Sequence, residues 1–107
     1  MIVRSEVLGS GSDELGAQLM GSFLRKLCTD ATKPERILFY NSGVKLLAEG
    51  SAVLDALELL GQAGVDLVAC GTCVGFYDLK DRMRVGRVGD MVEIVSRIMN
   101  ADVVATV

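Results

Sequence analysis

The sequence predicts an α/β protein: a mostly parallel sheet of about five strands with helices on both faces. Three observations lead there. Short apolar runs alternate with longer amphipathic stretches, the pattern of strands joined by crossover helices. Two of the runs are continuously apolar, as strands buried on both faces are. The amphipathic stretches open near Ser or Asp, and one closes on Gly, residues that cap helices.

The first strand, residues 2–8, is interrupted by Arg4 and Glu6, which do not suit the centre of a sheet. Gly9-Ser10-Gly11-Ser12 turns the chain, and Ser10 with Asp13 is set to cap a helix whose inner stripe is Leu15, Leu19, Phe23, Leu24 and Leu27. Ile37-Leu38-Phe39-Tyr40 is the second strand, stopped by Asn41-Ser42-Gly43. Residues 51–63 form a second helix with Leu54, Leu57, Leu60 and Ala63 inward, ended by Gly64 in a left-handed conformation. The third strand, residues 65–69, runs directly into Cys70-Gly71-Thr72-Cys73. A short turn or helix over 76–83 and an extended piece at Val85 follow. Asp90, with Glu93 three residues on, begins a helix whose apolar face is Met91, Ile94, Val95 and Ile98. Residues 103–107 close the chain as a last strand.

With 107 residues, half of them apolar, the chain is expected to be a single domain, 1–107, with a core that needs no staples. No apolar run approaches the roughly 20 residues of a membrane helix, and the first residues do not resemble a signal peptide, so a cytoplasmic protein without membrane contact is expected. Three cysteines are an odd count, which points to reduced thiols rather than a disulfide framework. A net charge of -3, with 11 basic and 14 acidic residues intermixed, offers no basic face for nucleic acid. The absence of histidine removes serine triads, cysteine-histidine dyads and most zinc enzymes. A mean hydropathy of +0.41 is high for a small soluble monomer, so a homo-oligomer, dimer or trimer, is expected to bury the excess.

In an open parallel sheet, ligands bind beyond the carboxyl ends of the strands. Three loops fall there, carrying Gly11, Ser12 and Asp13; Asn41, Ser42, Gly43 and Lys45; and Cys70, Gly71, Thr72 and Cys73. Two cysteines three apart, one ending a strand and the other about where a helix begins, can meet as a disulfide, and amides aimed at sulfur can depress a thiol pKa. Packing of small apolar side chains and half of a metal site are the competing readings, and a tetrahedral thiolate site needs more ligands than this pair supplies. Thioredoxin does not fit, because the only proline, Pro34, precedes the second strand. Glu14 stands where a dinucleotide fingerprint needs its third glycine, and no lysine makes that turn a P-loop. Lys45, Arg82, Arg84 and Arg87 are either positive field near the thiols or solvated surface. Tyr77 can hydrogen-bond a sulfur intermediate or pack with Phe76, and Cys28 reads as a structural thiol.

Several blocks resemble one family: Gly11-Ser12-Asp13-Glu14-Leu15-Gly16, Phe39-Tyr40-Asn41-Ser42-Gly43-Val44-Lys45-Leu46, Glu49-Gly50-Ser51, and Cys70-Gly71-Thr72-Cys73 with Phe76-Tyr77. Over residues 7–107 the chain resembles the DsrE/DsrF-like sulfur-relay family, specifically the carboxy-terminal domain of YedF-type sulfurtransferase-like proteins of selenium metabolism. The resemblance implies a three-layer flavodoxin-like (DsrE-like) sheet, homo-oligomers, and a cysteine that carries sulfur as a persulfide between partner proteins. Cys70 matches the sulfur-carrying position. Nothing in the chain corresponds to the TusA-like domain that precedes this one in YedF-type chains, so a TusA-like partner is expected in trans. Asp78 stands where the resemblance leads one to expect glycine.

The leading expectation is a sulfur or selenium carrier without metal or organic cofactor. Cys70 accepts sulfane sulfur from a donor protein and passes it to an acceptor thiol, and Cys73 resolves or shares the adduct. The alternative is an oligomeric binding module for a small anion or partner protein, with non-catalytic cysteines.

Overall fold

In the computed structural model, which describes residues 1–107, the strands are β1 (Ile2–Val3), β2 (Arg36–Phe39), β3 (Asp66–Cys70) and β4 (Arg87–Gly89). The helices are α1 (Asp13–Thr29), α2 (Leu54–Gln62), α3 (Gly71–Phe76) and α4 (Met91–Met99). The sheet order is β1-β2-β3-β4 and every pair is parallel, with Arg36 opposite Asp66 and Cys70 opposite Gly89. Ile37, Leu38 and Phe39 on β2, and Leu67, Val68 and Ala69 on β3, are all buried, so both sheet faces are covered. Helices α1 and α2 pack against each other, as the right-handed rule for crossovers between consecutive parallel strands puts them on one face. The return from β4 through α4 toward the β1 edge covers the other. This is a three-layer α/β architecture of flavodoxin-like type.

The sheet has four strands where about five were expected. Residues 103–107 make one parallel bridge, Thr106 to Ile2, with Ile2 N–H donating to Ala105 O and Val107 N–H to Ile2 O. Their neighbour β1 is only two residues long, so there is no longer ladder to join. The expected strand over 2–8 ends at Val3, just before the polar residues that disfavoured it. From there the chain bends toward α1, Leu8 N–H donating to Gly16 O at 3.0 Å.

Helix α1 is capped by Ser12 rather than Ser10, its hydroxyl accepting from Leu15 N–H. Its inner face is Gly16, Met20, Gly21 and Leu24; of the expected stripe Leu24 is buried and Phe23 and Leu27 pack half-buried against the core, while Leu15 and Leu19 are exposed. The face rotates because the closest approach is made by glycine: a Cβ on Gly16 would lie 2.8 Å from Val7 Cβ. In α2, Ala56, Leu57 and Leu60 face inward, Ala63 lies beyond the helix, and Gly64 has the left-handed φ of 94° expected of it. Asp90 caps α4 by accepting from Glu93 N–H at 2.8 Å. Of the expected apolar face of α4, Ile94 is buried and Ile98 half-buried, but Met91 and Val95 are exposed along with Val92 and Met99. No helix is long and apolar enough to cross a membrane.

Candidate functional site

The cysteine segment begins its helix earlier than expected: β3 ends at Cys70 and α3 starts at Gly71. Strand alternation and the sharp strand-to-helix turn give the two sulfurs different surroundings. Cys70 is 1% exposed and belongs to the core, whereas Cys73, in the first turn of α3, is half-buried. Gly71 lets β4 pass closely, since a Cβ there would lie 3.3 Å from Val88 Cγ1. Thr72 is exposed.

Across from α3 lies the 3-10 segment Asn41–Leu47, which leaves the carboxyl end of β2. Gly43 allows that segment to press against the first strand, because an added Cβ would sit 2.5 Å from Val3 O. Asn41 N–H donates to Cys73 Sγ at 3.0 Å. Asn41 Oδ1 accepts from Tyr77 O–H at 3.1 Å and from Ser42 N–H at 2.9 Å. Lys45 Nζ stands 4.5 Å from the centre of the Tyr77 ring and 3.8 Å from Glu6 Oε1, and Ser42 Oγ accepts from Glu6 N–H. Five of the expected residues, Asn41, Ser42, Lys45, Cys73 and Tyr77, therefore form one connected cluster, with Cys70 beneath it.

Burial pushes the Cys73 thiol up, and the neighbouring Cys70 adds to the rise, while the Asn41 amide pulls the other way. The amide aimed at sulfur that the sequence reading allowed for is present at Cys73, but desolvation outweighs it. Gly11, Ser12 and Asp13 start α1, and the Ser12 hydroxyl is spent on the cap. Two of the three arginines are committed elsewhere. Arg84 pairs with Glu49, and Arg87 with Asp66 and Glu93. Cys28 donates to Ala56 O, as a structural thiol would.

Sequence reasoning missed Glu6, whose place in a polar strand candidate gave no hint that it would pair with Lys45. Phe76, read there as packing, is 82% exposed and meets Tyr77 edge-on at 5.1 Å between ring centres. A cavity of about 400 Å³ shares Lys45 with the cluster and is otherwise lined by Glu6, Met20, Val53 and Leu79 among others. A larger one, about 490 Å³, lies at the opposite end of the strands between Arg36, Leu38 and the residues after α4, and holds no thiol.

No family model matches the chain, and no curated protein matches it. Solved structures do. The crystal structure of the ychN protein from E. coli aligns with a TM-score of 0.68 at 18% identity, covering 99% of this chain and 97% of the other. MTH1491, a protein of unknown function from Methanobacterium thermoautotrophicum, aligns with a TM-score of 0.66 at 22% identity, covering 99% and 93%. At these identities the likeness is one of architecture: the chain shares the α/β fold of both proteins over nearly its whole length.

Proposed function

We propose that the chain is a cysteine-based sulfur carrier that accepts sulfane sulfur as a persulfide on the Cys70–Cys73 pair and passes it to a partner thiol. The observation that carries this reading is a pair of neighbouring thiols at the carboxyl end of a central strand, one of them hydrogen-bonded by a backbone amide. The fold shared with the ychN protein and MTH1491 supports it, together with the resemblance of the blocks around both loops to the DsrE/DsrF-like family. In the transfer, a thiolate attacks the outer sulfur of a donor persulfide. A sulfur–sulfur bond forms to cysteine, the donor's breaks, and the electron pair leaves with the donor thiolate. Donor and acceptor are proteins, with a TusA-like chain in trans as the expected partner, and selenium is the alternative cargo. Homo-oligomerisation belongs to the same reading, because Val92 and Met99 leave an apolar face of α4 uncovered at 78% and 75% exposure.

A second reading, a binding module with non-catalytic cysteines, is favoured by the burial of Cys70 and the raised Cys73 thiol. Mass spectrometry separates the two. After treatment with inorganic polysulfide and desalting, a carrier shows added sulfur that reductant removes and that is lost when Cys70 and Cys73 are both replaced by serine. Protein that gains no reducible mass is a binding module, and the carrier reading fails.

A further inference from the structure

The two thiols are not equivalent, and the side chains around them divide their work. An incoming donor must reach sulfur along a line to Sγ, and Cys70, 1% exposed beneath the cluster, offers no such approach. Cys73 does, on the half-buried first turn of α3. An anion that forms on Cys73 also meets a donor already in place, the Asn41 N–H at 3.0 Å.

That donor is aimed by an uncommon backbone. Asn41 has φ 52°, the left-handed region that asparagine tolerates better than most side chains. Its Oδ1 is fixed by the Tyr77 hydroxyl and the Ser42 amide, and Tyr77 is covered by Lys45. Tyr77 is the C-cap of α3, its N–H held by Cys73 O, so the lock is tied to the helix that carries the sulfur, while the aimed amide belongs to the facing segment.

We propose that Cys73 is the thiol that receives sulfur, and that Asn41, locked by Tyr77, is the positioning residue that presents its amide to the sulfur anion on Cys73. This rests on the carrier reading and goes beyond it by assigning the roles. The Cys73 thiolate takes the outer sulfur of the donor persulfide. The donor leaves as a thiolate and takes a proton from solvent, and the new persulfide anion on Cys73 lies beside the amide. An acceptor thiolate then attacks the outer sulfur, the bond to Cys73 Sγ breaks and Cys73 leaves as the thiolate, while the buried Cys70 is the second thiol of the pair and takes no sulfur from the donor.

The test uses the whole chain treated with inorganic polysulfide, trapped with iodoacetamide and mapped by fragment ions across residues 70–73. Added sulfur is expected on Cys73, retained in Cys70→Ser and lost in Cys73→Ser. Sulfur found on Cys70, retained in Cys73→Ser, overturns the assignment but leaves the carrier reading standing; sulfur on neither cysteine removes both. Positioning is read from the pH profile of Cys73 alkylation, with Cys28 in the same molecule as the reference for folding. Tyr77→Phe and Asn41→Ala are expected to shift the profile to higher pH and slow labelling at neutral pH by roughly threefold to tenfold, the size of one weakened hydrogen bond to a charged sulfur. Asn41→Gly keeps the left-handed backbone and the amide and is expected to stay nearer wild type than Asn41→Ala. Unchanged profiles in both Tyr77→Phe and Asn41→Ala overturn the positioning role.

Discussion

Replacing Arg87 with methionine tests how the sheet that carries the site is tied together. Arg87 reaches from β4 to two carboxylates: Nε and Nη2 donate to Asp66 at 3.0 and 2.9 Å, and Nη1 and Nη2 to Glu93 at 2.8 and 2.6 Å. Asp66 opens β3 and also accepts from Arg36 Nε at 2.8 Å, so one cluster joins β2, β3, β4 and α4. The Arg87 hydrogen bond is the largest cause holding the Asp66 carboxyl at about 2 against an ordinary 3.8; burial opposes the drop, and Arg36 assists it. A drop of roughly 1.8 units is a ceiling of roughly 2.4 kcal/mol. With side chains 30% and 43% exposed, solvent screening reduces the Arg87 share to about 1 kcal/mol. Because the folded value is depressed, this stabilisation is complete above 3.8 and is lost as pH falls toward 2. Arg87→Met is therefore expected to unfold at lower urea than wild type near neutral pH, by about 1 kcal/mol with an unchanged slope. The gap should shrink to about a third at roughly pH 2.5 and close only below about pH 2. Circular dichroism in urea at both pH values measures it. A gap that persists undiminished in acid would refute the role given to the Asp66 carboxylate.

Two further outcomes follow from close contacts and exposed surface. Gly43→Ala drives a methyl group into Val3 O, and unlike a flexible side chain that carbonyl cannot step aside. A loss of about 2 kcal/mol or more in urea unfolding is expected, and stability equal to wild type would mean that the 3-10 segment moves freely against β1. The uncovered face of α4 is expected to be buried between copies, so light scattering at micromolar concentration should give a mass above 11.4 kDa, and Val92→Glu should lower it. A wild-type mass of 11.4 kDa at every concentration refutes assembly.

The strands β2 and β3 were legible because a run buried on both faces must be continuously apolar, and Ile37-Leu38-Phe39 and Leu67-Val68-Ala69 leave no other reading. The ends of the sheet were not. A β-rich composition at residues 103–107 says nothing about the length of the neighbour they must pair with, and β1 supplies only Ile2 and Val3. The first half of the α1 stripe went astray for a related reason: reading hydrophobicity favours Leu15 and Leu19, while the closest approach is made at Gly16, where there is no side chain to keep Val7 and Leu8 away. In α4 the apolar residues form a wider band than the sheet can cover, so periodicity found the helix but not its inner limit.

For the site, sequence order placed the Asn41 loop and the cysteine segment beyond the carboxyl ends of neighbouring strands, and there they meet. Which sulfur faces outward depends on the single residue at which strand becomes helix, and no composition or spacing reveals that. The backbone supplies a second clue that became readable only with the structure. Asn41 and Asp78 are the only residues other than glycine with positive φ, 52° and 56°, and they lie at the two ends of the hydrogen-bonded unit formed by Cys73 and Tyr77. Asp78, where the resemblance leads one to expect glycine, thus occupies a position whose backbone favours glycine. Each such residue costs on the order of 1 kcal/mol, and it persists only where its surroundings leave no alternative. At Asn41 those surroundings are the Tyr77 hydroxyl and the Ser42 amide on its side chain, and at Asp78 the N–H held by Gly75 O at the end of α3. Left-handed residues on both sides of one thiol keep the Asn41 amide on Cys73 Sγ and the Tyr77 hydroxyl on Asn41 Oδ1 in register, which is the arrangement the proposed role of Cys73 requires.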